Sequence, residues 1–203
     1  HDALPISKLL NKGNFNTMTY PSDNHRYFVN NFSRVNTTPE SHLINSDGTV
    51  IMKLEKADLS ALFESGYQFP ETFKAKADDG ITDLYGVIYK PFDFDENKKY
   101  PLLEYVYPGP QTESVNKSFS VRMDRLDRMA QLGFIVITLG NRGGHPDRSK
   151  WYHNYGYGNL RDYGLADKKY VAQQLANRHD FIDINRVGIY GHSGGGFMST
   201  AAI

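Results

Sequence analysis

A chain of 203 residues with 39% apolar and 23% charged side chains has the make-up of a folded globular protein and not of a disordered one. Twenty-three Lys and Arg balance 23 Asp and Glu, which argues against a general nucleic-acid or anionic-membrane surface. Cysteine is absent, so disulfides, zinc-thiolate sites, iron–sulfur clusters and a cysteine nucleophile are excluded, and no apolar run approaches the roughly 18 residues of a helical membrane span.

The chain opens without Met and without a charged-then-apolar signal segment. His1 to Ser7 share no periodic pattern with the residues after them, and residues 1–13 are expected to be a non-native or linker segment. Residues 14 to 55 read as β structure. Phe15, Thr17 and Thr19 alternate, and His25 to Phe32 is rich in aromatic and β-branched types. Asn45-Ser46-Asp47-Gly48 is a turn signal between Ser41–Ile44 and Thr49–Leu54, which predicts a hairpin. Three or four such strands make about one propeller blade or part of a sandwich.

Leu59 to Phe63 reads as a short connecting helix, and a domain boundary is expected near residue 66. Glu71–Ala77 and Leu84–Tyr89 alternate around Asp78-Asp79-Gly80, a second hairpin. Pro101–Tyr107, Phe134–Leu139 and Val187–Tyr190 are continuous apolar runs. Between them lie helical stretches, Val121–Leu132 and Leu160–Asn177, the latter with apolar Leu165, Ala166, Tyr170, Val171 and Leu175. Buried strands alternating with amphipathic helices predict an α/β fold with a mostly parallel sheet covered on both faces. Ser199–Ile203 stop inside a helix pattern without a stop signal, so the chain reads as an internal stretch of a longer protein.

Gly191-His192-Ser193-Gly194-Gly195 matches G-x-S-x-G, a weak signal alone. Its flanks strengthen it. Arg186–Tyr190 is an apolar strand directly before it, and Gly196–Ile203 is a helix start directly after it. Strand, sharp turn and helix make the nucleophile elbow of α/β-hydrolases. Such a turn lifts the Ser193 hydroxyl above the sheet edge and aims the Gly194 N–H at a developing oxyanion. A Gly-rich turn with a capping serine would give the same letters.

A second oxyanion donor is expected from the loop Tyr105-Val106-Tyr107-Pro108-Gly109-Pro110. Pro108 and Pro110 carry no N–H, so the choice falls on the Gly109 amide or the Tyr107 phenol, unless Tyr107 is a core aromatic. In this fold the triad runs Ser, acid, His along the chain, and no acid or His follows Ser193. His145, His153 and His179 precede it and read as loop or surface residues, so no general base and no orienting acid are assigned.

With these residues in hand, positions from about 14 to 203 resemble the prolyl oligopeptidase family of serine peptidases, in its dipeptidyl peptidase IV-like branch. The resemblance is carried by the strands before residue 56, Leu54-Glu55-Lys56-Ala57-Asp58, Tyr100–Pro110, Asn141-Arg142-Gly143-Gly144 and the Ser193 elbow. It implies a β-propeller end over 14–66 and the N-terminal half of an α/β-hydrolase domain over 67–203. It further implies Ser193 as nucleophile, the Tyr107 hydroxyl and Gly194 N–H as oxyanion donors, and a peptide substrate. The triad Asp and His and the propeller acids that hold a substrate amino terminus would lie outside these residues. The longer protein would be the serine peptidase, with a homodimer open to it and a periplasmic or extracellular setting. The 203-residue stretch alone is expected to be inactive and to expose an apolar strand edge. Two positions depart from the family pattern: Gly194 stands where Tyr is usual, and Gly140 stands where Asp is usual, which leaves the role of Arg142 open. An esterase or acylaminoacyl hydrolase, or a non-catalytic propeller–hydrolase scaffold, would share the same fold.

Other patterns carry less. Gly156-Tyr157-Gly158 begins G-x-G, but Arg161 holds the third glycine position, and no phosphate loop or metal-ligand spacing occurs. No cofactor and no metal are therefore expected. Asn31, Asn36 and Asn116 head glycosylation triplets, against which the lack of cysteine weighs. The aromatic stretch Trp151–Tyr163 reads as loop packing or as a pocket wall beside the elbow.

Overall fold

The computed structural model describes residues 9–108, 112–120, 125–159 and 162–203. The chain divides into two compact units: residues 1–65 with 117–120, and residues 66–116 with 121–203.

The first unit is an antiparallel meander of β1 (Asn16–Pro21), β2 (Tyr27–Ser33), β3 (Glu40–Asn45) and β4 (Val50–Lys56), in that spatial order, followed by a short helix, α1 (Ser60–Glu64). The expected turn at 45–48 joins β3 to β4. The Asn45 side chain accepts from the amides of Asp47 and Thr49, and Gly48 takes φ +82°, a conformation cheap only for glycine. Little is buried. Ile44 and Val35 are inside, whereas every position of β1 and β4 is exposed.

The second unit is a five-stranded sheet with helices. Its strands are β5 (Glu71–Lys76), β6 (Asp83–Tyr89), β7 (Tyr100–Tyr105), β8 (Ile135–Leu139) and β9 (Ile182–Tyr190). Its helices are α2 (Arg125–Ala130), α3 (Lys150–Asn154), α4 (Leu165–Arg178) and α5 (Gly194–Ala201). The spatial order is β5-β6-β8-β7-β9. The expected α/β class is present, but the sheet is mixed and not mostly parallel. β8, β7 and β9 run parallel, while β5–β6 and β6–β8 are antiparallel. The tight turn at 78–80 can only reverse the chain, which makes β5–β6 antiparallel; β6 then pairs antiparallel with β8, about 50 residues further along the chain, a tertiary choice that no local turn dictates. The expected helices around 121–132 and 160–177 appear as α2 and α4; residues 121–124, 160 and 161 lie outside the described residues, as do residues 1–7.

The core joins sheet to helix. All five residues of β8 are buried, and Val171, Ala172 and Leu175 of α4 pack in one cluster with Leu102, Ile135 and Ile137. Each of the Val, Leu and Ile side chains contributes roughly 1.5–3 kcal/mol of apolar burial. Ala166 and Tyr170, expected on the packed face of α4, are exposed; Asp167 and Lys168 are buried in their stead. Both charges have partners. Lys168 Nζ lies 3.2 Å from Glu104 Oε1 and donates to the Leu139 carbonyl at 2.7 Å. Burial pushes the Glu104 carboxyl up, and the Lys168 charge opposes that shift.

Candidate active site

β7 and β9 are adjacent and parallel, so their carboxyl ends reach the same edge of the sheet, where open α/β sheets place their sites. β9 ends at Tyr190, α5 begins at Gly194, and three residues turn the chain between them. Ser193 takes φ +53° and ψ −116° at the tip. A non-glycine residue held there stores on the order of 1–3 kcal/mol. The side chain is exposed, and Oγ makes no hydrogen bond among the described residues.

Two glycines make the turn possible. A Cβ at Gly191 or at Gly195 would overlap the Val106 carbonyl oxygen, which follows β7. That carbonyl is fixed in place, because the Val106 amide donates to Tyr190 O at 2.9 Å. Gly195→Ala should therefore push the elbow off the end of β7. We expect a stability loss of about 1–3 kcal/mol and impaired reactivity of Ser193, read by denaturant unfolding and by serine-probe labelling. Gly194 differs, since nothing lies within 4 Å of a Cβ placed there. Gly194→Ala should leave the melting temperature unchanged. The glycine at this position is thus compatible with the larger residue usual in the family pattern.

Tyr107 follows Val106, and its Cα lies 3.7 Å from the position of a Gly195 Cβ. The structure thereby brings Ser193, Gly194 and Tyr107 to one sheet edge. Tyr107 is half-buried and its hydroxyl has no hydrogen-bond partner among the described residues. The Gly194 N–H is the first amide of α5 and has no acceptor within the helix. Gly109, the other donor considered in that loop, and Pro110 lie outside the described residues.

No histidine among the described residues hydrogen-bonds Ser193. His192 is exposed in the turn beside it. His145 Nδ1 lies 3.5 Å from Asp147 Oδ2, and His153 Nδ1 lies 2.8 Å from Gly144 O. His179 ends α4, its ring tilted against Phe181, and burial lowers its pKa.

The loop after β8 gives Arg142 a definite place. Its guanidinium is buried, with Nη2 2.6 Å from Asp167 Oδ1 and Nη1 3.2 Å from Asp79 Oδ2, and it lies 4.3 Å above the Tyr155 ring. This is a structural clamp between loop, helix and hairpin. Glu113 explains the neighbouring glycine. Its carboxylate lies 2.6–2.8 Å from where a Gly140 Cβ would stand, accepting from the Tyr152 hydroxyl at 2.6 Å and the His145 amide at 3.3 Å. A carboxylate thus occupies that space from another segment. Burial, with the Glu113 charge second, pushes the Tyr152 phenol far up, so it stays a donor. Asp167 stands four residues before Val171 on the packed stripe of α4, but a charge at that spacing reads as solvent-facing in the sequence. Glu113 had no signal in the sequence. Of the aromatic stretch, Tyr152 and Tyr163 are packed inside, whereas Trp151 and Tyr157 are exposed.

Residues 119–203 match the prolyl oligopeptidase family. Dipeptidyl peptidase 8 of Homo sapiens is 40% identical over 138 residues, 68% of this chain and 15% of the relative. The protein named probable dipeptidyl-aminopeptidase B of Aspergillus clavatus is 33% identical over 169 residues, 80% of this chain and 18% of the relative. The crystal structure of dipeptidyl peptidase 4 from Porphyromonas gingivalis superposes with a TM-score of 0.78 at 25% identity, covering 95% of this chain and 27% of that one. The chain therefore spans between about a seventh and a quarter of the length of these proteins.

Proposed function

We infer, from the prolyl oligopeptidase family sequence carried by residues 119–203, that this chain supplies the nucleophile and oxyanion hole of a serine peptidase of the dipeptidyl peptidase type. One observation carries the reading: Ser193 is strained, exposed and free of side-chain partners among the described residues, at the joint of β9 and α5. In this reading residues 14–66 are the end of a β-propeller and 67–203 the first part of a hydrolase domain.

Ser193 Oγ attacks the scissile carbonyl carbon, and its proton passes to a general base. The tetrahedral oxygen takes up negative charge between the Gly194 N–H and the Tyr107 hydroxyl. Neither donor needs to break a described hydrogen bond to reach it, which is the condition for preorganised stabilisation. Collapse expels the amine, which leaves with the proton, and forms the Ser193 acyl ester. Water then attacks the ester by the same route in reverse and frees the acid. The base and its orienting acid are assigned to the part of the relatives' length that this chain does not span.

The test uses the protein expressed over its whole reading frame. It should cleave anilides of dipeptides ending in proline faster than short esters, and should react covalently with a fluorophosphonate. Faster turnover of esters with negligible amide cleavage would make it an esterase on the same fold. Failure to react with the fluorophosphonate would leave a binding scaffold.

A further inference from the structure

We infer that Tyr163 is a positioning residue for the oxyanion donor Tyr107, acting through the carbonyl of Pro108. The inference rests on the oxyanion role proposed for Tyr107 and names what holds that residue in place.

Tyr163 lies just ahead of α4, 8% exposed, with its hydroxyl donating to Pro108 O at 2.6 Å. Its ring fills a slot that exists because two residues lack side chains. A Cβ at Gly156 would stand 2.7 Å from the ring, and one at Gly143 would overlap its edge. Gly143 is itself fixed, with φ +91° and its amide donating to Tyr152 O at 2.7 Å. The ring therefore cannot slide, and the position of the hydroxyl is set by backbone.

The consequence falls on Tyr107. A residue before proline is confined to extended conformations, and the proline ring fixes its own φ. Residues 107 and 108 therefore form a stiff unit. It is held upstream by Val106 N donating to Tyr190 O at 2.9 Å, on the strand that leads to Ser193. Downstream it is held by the Tyr163 phenol. Two hydrogen bonds thus bracket the residue that carries the donor hydroxyl. Burial raises the pKa of the Tyr163 phenol, with an opposing hydrogen bond from Asn141, so it remains protonated and able to donate.

A plain core role for Tyr163 makes a different prediction, and Tyr163→Phe separates the two. It keeps the ring in its slot and removes only the hydroxyl. In the protein expressed over its whole reading frame, Tyr163→Phe should lower kcat about tenfold with KM nearly unchanged. Tyr107→Phe alone should lower kcat by about 10²-fold or more. The double variant should be no slower than Tyr107→Phe, because Tyr163 has nothing left to position. Gly156→Ala, which displaces the ring and keeps the phenol, should reproduce the Tyr163→Phe defect and should likewise be silent on the Tyr107→Phe background. An unchanged kcat in Tyr163→Phe would overturn the inference, as would a loss that adds in full to that of Tyr107→Phe. A silent Tyr107→Phe would instead remove the oxyanion assignment, and the inference with it.

Discussion

Ser193→Ala should end reaction with a fluorophosphonate and lower peptidase turnover by about 10⁴–10⁶-fold, the range in which a lone hydroxyl nucleophile is lost from a serine hydrolase. The fold should survive the change. The Ser193 hydroxyl is exposed and makes no hydrogen bond among the described residues, so its removal breaks nothing. Alanine shares the β-carbon and meets the same positive φ. The melting temperature should therefore stay within about 2 °C, which separates chemical loss from unfolding. Equal turnover in the variant would remove Ser193 from the mechanism.

Asp167→Ala should cost about 3–5 kcal/mol in urea unfolding, the usual consequence of orphaning a buried charge. Asp167 is fully buried and serves several donors at once. Oδ1 accepts from Arg142 Nη2 at 2.6 Å and from the Asp78 amide at 3.0 Å, while Oδ2 accepts from the Arg142 amide at 3.0 Å. Removing it leaves a guanidinium 5% exposed with, among the described residues, only Asp79 and the Tyr155 ring face beside it. Arg142→Met with Asp167→Leu should cost less than the sum of the two single changes, because neither charge is then stranded. A loss below about 1 kcal/mol for Asp167→Ala would mean that water reaches the clamp.

The same clamp gives an acid response. Burial raises the Asp79 carboxyl, but the Thr82 hydroxyl, the Thr82 and Ile81 amides and the Arg142 charge outweigh it and bring the group to about 2 from an ordinary 3.8. A folded pKa below the unfolded one stabilises at neutral pH, and that share is lost as pH falls from about 4 towards 2. Asp79→Asn should flatten the acid limb of the stability curve in that window. An unaltered limb would exclude Asp79 as its source.

The hairpins were legible because their turns are written in residue types with one use. Asn45 closes its turn with its own side chain, and Gly48 supplies the positive φ. The elbow was legible because an apolar strand and a helix start flank a glycine-bounded serine. Strand direction was not legible. Ile135–Leu139 is buried on both faces whichever way its neighbours run, so its letters are the same beside antiparallel β6 and parallel β7. The packed face of α4 was hidden for another reason: its stripe includes Asp167 and Lys168, charges that pattern reading assigns to water and that only tertiary partners admit. Lys117–Ser120 groups with the first unit, where Phe119 N donates to Ser33 Oγ, and nothing local in the sequence marks that return. Glu113 and Tyr163 share this obscurity, since each acts through a distant backbone group.

The pairing of β7 with β9 sets when the strained turn at Ser193 can exist. Leu102 pairs with Val187, about 85 residues further along the chain, so the contact that seats the bend at Val106 closes one of the longest loops of the unit. Until that loop closes, nothing obliges Ser193 to adopt its costly backbone angles. During refolding from urea, helix signal should therefore recover before fluorophosphonate reactivity does. A polypeptide still being assembled would carry an ordinary serine, and the nucleophilic role proposed for it would begin only in the finished sheet.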